Sequence, residues 1–140
     1  MTQPSISSFL WFDAHAEEAV RFYASVFGEH CRTSGTRFEL FGQRYIAFNG
    51  GSHHKLSDAF SIMVECDTQA EIDRYWDALQ QGGGTPSRCG WLRDRFGLSW
   101  QVVPRQLFGL LNHPDKAKAS RVLKAMLSMQ KLELSALENA

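Results

Sequence analysis

Two adjacent histidines, His53 and His54, stand in a Gly-rich loop, and three cysteines, Cys31, Cys66 and Cys89, lie far apart along the chain. Imidazole, thiolate and carboxylate groups hold Zn2+, Ni2+ or Mn2+. His53 or His54 with Cys66, Asp58 or Glu65 is therefore one candidate metal site. Adjacent residues on extended chain point to opposite faces, so one histidine of the two could join such a set. The alternative is a pair of solvated loop histidines, and His15, His30 and His113 read as surface residues. For nucleophilic chemistry, a thiol near a helix N-terminus has a lowered pKa. Cys66 has that placement, but the charge of Asp67 beside it opposes ionisation. Cys89 lies between Arg88 and Arg93, a more activating setting if either arginine points at it. Buried, inert thiols are the other reading of both. No Ser-His-Asp set with a nucleophile elbow is visible.

Aromatic side chains offer a second kind of chemistry. Phe9, Trp11, Phe48, Trp91 and Trp100 fall in strand-like runs, with Asn49, Arg93 and Gln101 close by. Lining a pocket, they suit a flat or apolar small molecule held by a few polar groups. Packed under helices they are core, and alternation along each strand decides between the two.

The elements that must carry these residues occur twice. Ile6 to Phe12 reads as a strand, Asp13 as an N-cap, and Ala14 to Phe27 as an amphipathic helix stopped by Gly28. Arg37 to Leu40 and Arg44 to Asn49 form a hairpin around Phe41-Gly42-Gln43. The order then returns. Phe60 to Cys66 is a strand, Thr68 and Glu71 can form a capping box, and Ala70 to Leu79 is a helix ended by Gly82-Gly83-Gly84. A second hairpin joins Gly90 to Asp94 with Leu98 to Val103 through Arg95-Phe96-Gly97, stopped by Pro104. An offset of 53 lays Glu18, Arg21, Phe22, Tyr23 and Val26 on Glu71, Arg74, Tyr75, Trp76 and Leu79. An offset of 55 lays Phe41, Gly42 and Tyr45 on Phe96, Gly97 and Trp100. The chain thus reads as one α+β domain, with module one over 5–51, module two over 58–104 and a helical tail over 105–140. In the tail, Ala117, Val122, Ala125, Met126 and Met129 recur at helical spacing and Leu132, Leu134 and Leu137 continue the apolar set, as core or as a subunit contact.

Composition narrows the function classes. Fifteen basic and fifteen acidic residues in 140 give a formal net charge of zero, which argues against a nucleic-acid partner and leaves little repulsion against self-association. An odd number of widely spaced cysteines is no disulfide framework and suits reduced thiols in the cytoplasm. The first twelve residues have no signal-peptide pattern, and no stretch reaches membrane-spanning length.

The segments FLWFDAHAEEAVRFYASVFG, FNGG, ECDTQAEIDRYWDAL, CGWLRDRFGLSWQVVP and AKASRVLKAMLSMQKLELSAL together resemble the PhnB-like branch of the vicinal-oxygen-chelate superfamily, whose members often carry the label 3-demethylubiquinone-9 3-methyltransferase-like. The resemblance implies tandem β-α-β-β(-β) modules whose mixed sheet curls into a cup, the glyoxalase/bleomycin-resistance fold, followed by a C-terminal helix. It also implies a homodimer, with modules paired within a chain or swapped between chains. The stretch from Cys31 to Phe38 is shorter than the family's usual hairpin, so the first module is expected to have a trimmed sheet. In metal-using members the ligands come from the first and last strands of each module. The corresponding residues here are Ser7 or Ser8 and Ser61, then Ile46 and Gln101, a set that cannot replace imidazole and carboxylate. A methyltransferase of the doubly wound type would need a Gly-rich turn after a strand, whereas Gly82-Gly83-Gly84 follows a helix.

The expectation is a metal-free, cofactor-free protein that binds a small molecule through Phe9, Trp11, Phe48, Asn49, Trp91, Trp100 and Gln101. A lyase, isomerase or dioxygenase using a divalent metal held elsewhere is the alternative, and a methyltransferase is ranked last.

Overall fold

Alternation along Ser8–Phe12 (β1) sends Leu10 and Phe12 inward and Phe9 and Trp11 outward, and the rest of the architecture follows from strands divided in this way. A computed structural model describes residues 3–140, which form two compact units, one ending at Ser57 and the other running from Asp58 to Ala140.

In the first unit, β1 leads into helix α1 (Ala16–Phe27), a 3-10 turn (Gly28–His30) and strands β2 (Cys31–Ser34), β3 (Arg37–Leu40) and β4 (Gln43–Asn49). The sheet order is β1-β4-β3-β2, with β1 parallel to β4 and the other pairs antiparallel. One sheet face packs under α1. Leu10, Phe12, Phe38, Leu40, Tyr45 and Ala47 are buried there with Ala16, Ala19, Val20, Tyr23 and Phe27 of the helix. The sheet is not trimmed, because β2 completes it. That strand escapes a pattern reading since it is four residues long, lies on the sheet edge and is exposed over Arg32, Thr33 and Ser34. Its place is set by pairing with β3 rather than by apolar alternation.

Asp13 does not cap α1. The helix starts behind His15, which sits at φ 70° and makes no side-chain cap. The first helical N–H, that of Ala16, donates to Asn49 Oδ1 at 2.7 Å. The cap is supplied across the fold by β4, which satisfies a donor that local sequence would leave free.

In the second unit, β5 (Ser61–Cys66) leads into α2 (Gln69–Leu79), β6 (Thr85–Pro86), β7 (Trp91–Arg93) and β8 (Ser99–Pro104), in the sheet order β5-β8-β7-β6. Again the first and last strands are parallel. The Thr68–Glu71 capping box forms at the start of α2. Between β7 and β8, Asp94 is almost fully buried. Its Oδ1 accepts from the N–H groups of Phe96 at 2.9 Å and Leu98 at 3.1 Å, and its Oδ2 accepts from Trp100 Nε1 at 2.9 Å. Gly97 supplies the positive φ, 92°, that the turn requires.

The tail is three helices rather than one: α3 (Leu107–Leu111), α4 (Lys116–Leu127) and α5 (Leu134–Glu138). Asp115 caps α4. The break after Leu127 lets the connecting backbone bond elsewhere. The carbonyls of Met129 and Gln130 accept from the N–H groups of Cys89 and Gly90 at 2.8 Å. Gln69 both donates to the Leu132 carbonyl and accepts from the Leu134 N–H. Val122, Leu132 and Leu137 are thereby buried with Val103 and Leu107 as a second core. Among the described residues no helix is long and apolar enough to cross a membrane.

Candidate functional site: the open sheet faces

Each sheet buries one face under its helix, and the register defines what the other face carries. In the first unit, Trp11 pairs with Phe48, Phe9 with Ile46, Ile46 in turn with Arg37, and Arg37 with Ser34. Below them Arg44 pairs with Glu39, and Glu39 with Arg32. Phe9 is 57% exposed and Phe48 40% exposed, although strand aromatics ordinarily seek cover. Their ring centroids lie 5.2 Å apart, and Trp11 meets Phe48 edge-on at the same distance. Trp11 is held in place from behind. Its Nε1 donates to the Gly51 carbonyl at 2.9 Å, and His54 meets its ring in a T-shaped contact with centroids 4.7 Å apart. Gly50 allows this close approach, since a Cβ there would fall 2.0 Å from Trp11 Cε2. A cavity of about 360 Å3 is lined by Ser7, Arg32, Ser34, Arg37, Glu39 and Arg44 among others.

Phe9, Trp11 and Phe48 are thus brought together on one surface. Asn49 is not. It pairs with buried Phe12 on the helix side, and besides accepting from Ala16 it donates to Glu17 Oε2 at 3.3 Å. The backbone bond at Glu17 first, then the bond from Asn49, holds the Glu17 carboxyl below its usual range. Asn49 is a capping residue.

In the second unit, Trp91, Gln101 and Met63 share the open face, with Arg93, Ser99 and Ser61 in the next row. Trp100, one residue further along β8, points the other way. It is 0% exposed, and its indole N–H is committed to Asp94. The strand alternation makes it core, so it lines no pocket. Arg93 donates to Asp58 at 2.9 Å, and Asp58 also accepts from Ser99 Oγ at 2.6 Å. The Ser99 bond first, then Arg93, holds the Asp58 carboxyl below its usual range. A cavity of about 440 Å3 lies beside this group, lined by Asp58, Cys89, Trp91 and Arg93 among others.

The register resolves the superfamily ligand positions. Ser8 pairs with buried Tyr45 on the helix side, so Ser7, which lines the open-face cavity, is the counterpart of Ser61. Gln101 Nε2 donates to Ser61 Oγ at 2.9 Å, and that bond uses the two polar groups of the second module on each other. Two hydroxyls, an alkyl group and an amide do not fit a divalent transition metal. The alternative set does not converge either. Glu65 pairs with Arg105, and Asp58 with Arg93. Cys66 lies buried on the helix side, where burial first, and then the charge of Glu71, pushes its thiol up to about 11. Among the described residues no three His, Cys, Asp or Glu side chains group as metal ligands. Cys89 takes φ 60° and is half-buried.

Arg32, Arg37 and Arg44 escaped the sequence reading. They stand on three different strands, and the pairing of β2 with β3 and of β3 with β4 brings them onto one face.

A family profile described as 3-demethylubiquinone-9 3-methyltransferase matches residues 28–103. Among solved structures, a PhnB protein of Bacillus cereus carrying the same methyltransferase name is 27% identical, with a TM-score of 0.62 over 72% of this chain and 99% of that one. A Pseudomonas aeruginosa protein is 20% identical, with a TM-score of 0.59 over 73% of this chain and 98% of that one. A fosfomycin resistance protein of Listeria monocytogenes is 13% identical, with a TM-score of 0.52 over 73% and 91% of the two chains. Among curated proteins there is no match. The chain belongs to the 3-demethylubiquinone-9 3-methyltransferase family, in the PhnB-like branch of the vicinal-oxygen-chelate superfamily, and has the glyoxalase/bleomycin-resistance fold.

Proposed function

We propose that this protein binds an aromatic or apolar small molecule on the open sheet face of its first unit, with no divalent metal at the superfamily position. The observation that carries this reading is the aromatic group of exposed Phe9 and Phe48 with half-buried Trp11, the last braced by Gly50, Gly51 and His54. A braced aromatic surface that shares its sheet face with polar side chains has the composition of a small-molecule site. Methyl transfer from S-adenosylmethionine is a poor fit despite the family name. Each sheet is mixed and four-stranded, and Gly82-Gly83-Gly84 runs from α2 to β6 with no strand before it. We also propose a cytoplasmic homodimer, in keeping with zero net charge and unpaired thiols.

The test is a titration of the purified, tag-free protein with N-phenyl-1-naphthylamine, an uncharged fluorescent aromatic, before and after chelator treatment. Saturable binding that survives the chelator and weakens in Phe9→Ser supports the proposal. Stoichiometric Zn, Ni, Mn or Fe by elemental analysis, with binding abolished by the chelator, would replace it with a metalloenzyme.

A further inference from the structure

The open face of the first unit is divided along the strands. One half is apolar: Phe9 and Trp11 on β1, Ile46 and Phe48 on β4. The other half is cationic: Arg44 on β4, Arg37 on β3 and Arg32 on β2, with Glu39 the one acid in the same rows. The chain as a whole has no net charge, so this local excess is a property of the face. Glu39 meets Arg44 loosely, at 3.7 Å. Arg32 and Arg37 form no ion pair among the described residues. All three guanidinium-bearing residues line the same cavity of about 360 Å3, together with Ser7 and Ser34. Same-face neighbours on adjacent strands stand about 5 Å apart, and residues two apart along a strand about 7 Å. Ile46 lies across from Arg37 and two residues from both Arg44 and Phe48. A fused-ring ligand over Ile46 and Phe48 would therefore bring a substituent within reach of Arg37 and Arg44.

We infer that the ligand of this face is an amphipathic organic anion, a flat apolar body bearing one acidic group. The rings lie on Phe9, Trp11, Ile46 and Phe48. A carboxylate, phosphate or sulfonate lies between Arg37 and Arg44, with Arg32 at the rim. Guanidinium groups bind such oxyanions through paired N–H donors. The inference rests on the proposed binding face and adds the charge of what binds there.

The experiment uses two fluorescent probes with the same ring system, 8-anilino-1-naphthalenesulfonate and uncharged N-phenyl-1-naphthylamine. The wild-type protein should bind the sulfonate about tenfold tighter than the neutral probe, a preference that about 0.5 M NaCl removes. The double variant Arg37→Gln, Arg44→Gln should lose the preference and keep its affinity for the neutral probe. Both residues are exposed, so the variant should fold, which circular dichroism checks. Phe9→Ser should weaken both probes. Displacement of the sulfonate by 2-naphthoate or 2-naphthyl phosphate in the wild type further supports the inference and ranks the two headgroups. Equal affinities for the two probes, or a sulfonate affinity unchanged in the double variant, would overturn the anion inference and leave the binding face standing. Failure of both probes to bind the wild type would overturn the binding face and the inference together.

Discussion

The brace behind Trp11 can be removed without touching any residue that faces a ligand. Gly50 adopts a backbone conformation open to alanine, since its φ lies outside the left-handed region, yet an added Cβ would fall 2.0 to 2.5 Å from three atoms of the indole ring. Backbone positions β4 and the loop on either side: the Gly50 N–H donates to the Phe12 carbonyl at 2.8 Å, and the Gly51 N–H to that of Asp13 at 3.1 Å. The strand pairing resists, so the ring must move. In Gly50→Ala it would forfeit the bond to the Gly51 carbonyl, worth about 1 kcal/mol net, and part of its edge contacts with Phe48 and His54, worth about 0.5–1.5 kcal/mol each. The expected loss of stability is about 1–3 kcal/mol, read from the urea midpoint at unchanged slope. Removing one aromatic wall from the binding face should weaken N-phenyl-1-naphthylamine by about tenfold, equivalent to about 1.4 kcal/mol. Near-UV circular dichroism should report the displaced indole. Wild-type affinity and a wild-type near-UV spectrum in Gly50→Ala would refute the argument that this glycine places Trp11 for binding.

Other expectations concern the second unit. Asp94→Ala removes three hydrogen bonds to a buried carboxylate and strands the Trp100 indole N–H, so urea denaturation should show a loss of about 3–5 kcal/mol. Gly97→Val meets no steric obstacle but forces a branched residue to φ 92°, and thermal melts should show a cost of about 1–2 kcal/mol. Cys66 carries a pH signature. Its folded pKa is raised to about 11 from 9.0, so the unfolded chain ionises first. Its contribution is fully present below pH 9 and is lost as pH rises through 11, at most about 3 kcal/mol. Stability measured at successive pH values should fall less steeply over that range in Cys66→Ala, and an identical slope in the two proteins would refute the assignment.

The two-module plan was legible in the sequence because it is written in local terms. Helical spacing from Ala16 to Phe27, the Thr68–Glu71 capping box and the turn glycines Gly42 and Gly97 each depend on residues a few positions apart. The aromatic group was legible as types, for Phe9, Trp11 and Phe48 alternate with apolar neighbours on marked strands. Tertiary structure decided which way each side chain points. Trp100 and Gln101 are adjacent in sequence, yet the pleat sends one into the core and the other to the open face. Asn49 became a cap because β4 ends beside the first turn of a helix 33 residues earlier. The three arginines became a group because β2 pairs with β3 and β3 with β4. A period of two residues reveals that a strand has two faces. Which face a helix covers, and which side chains of distant strands share the other, follows from register, and register is a property of the folded sheet.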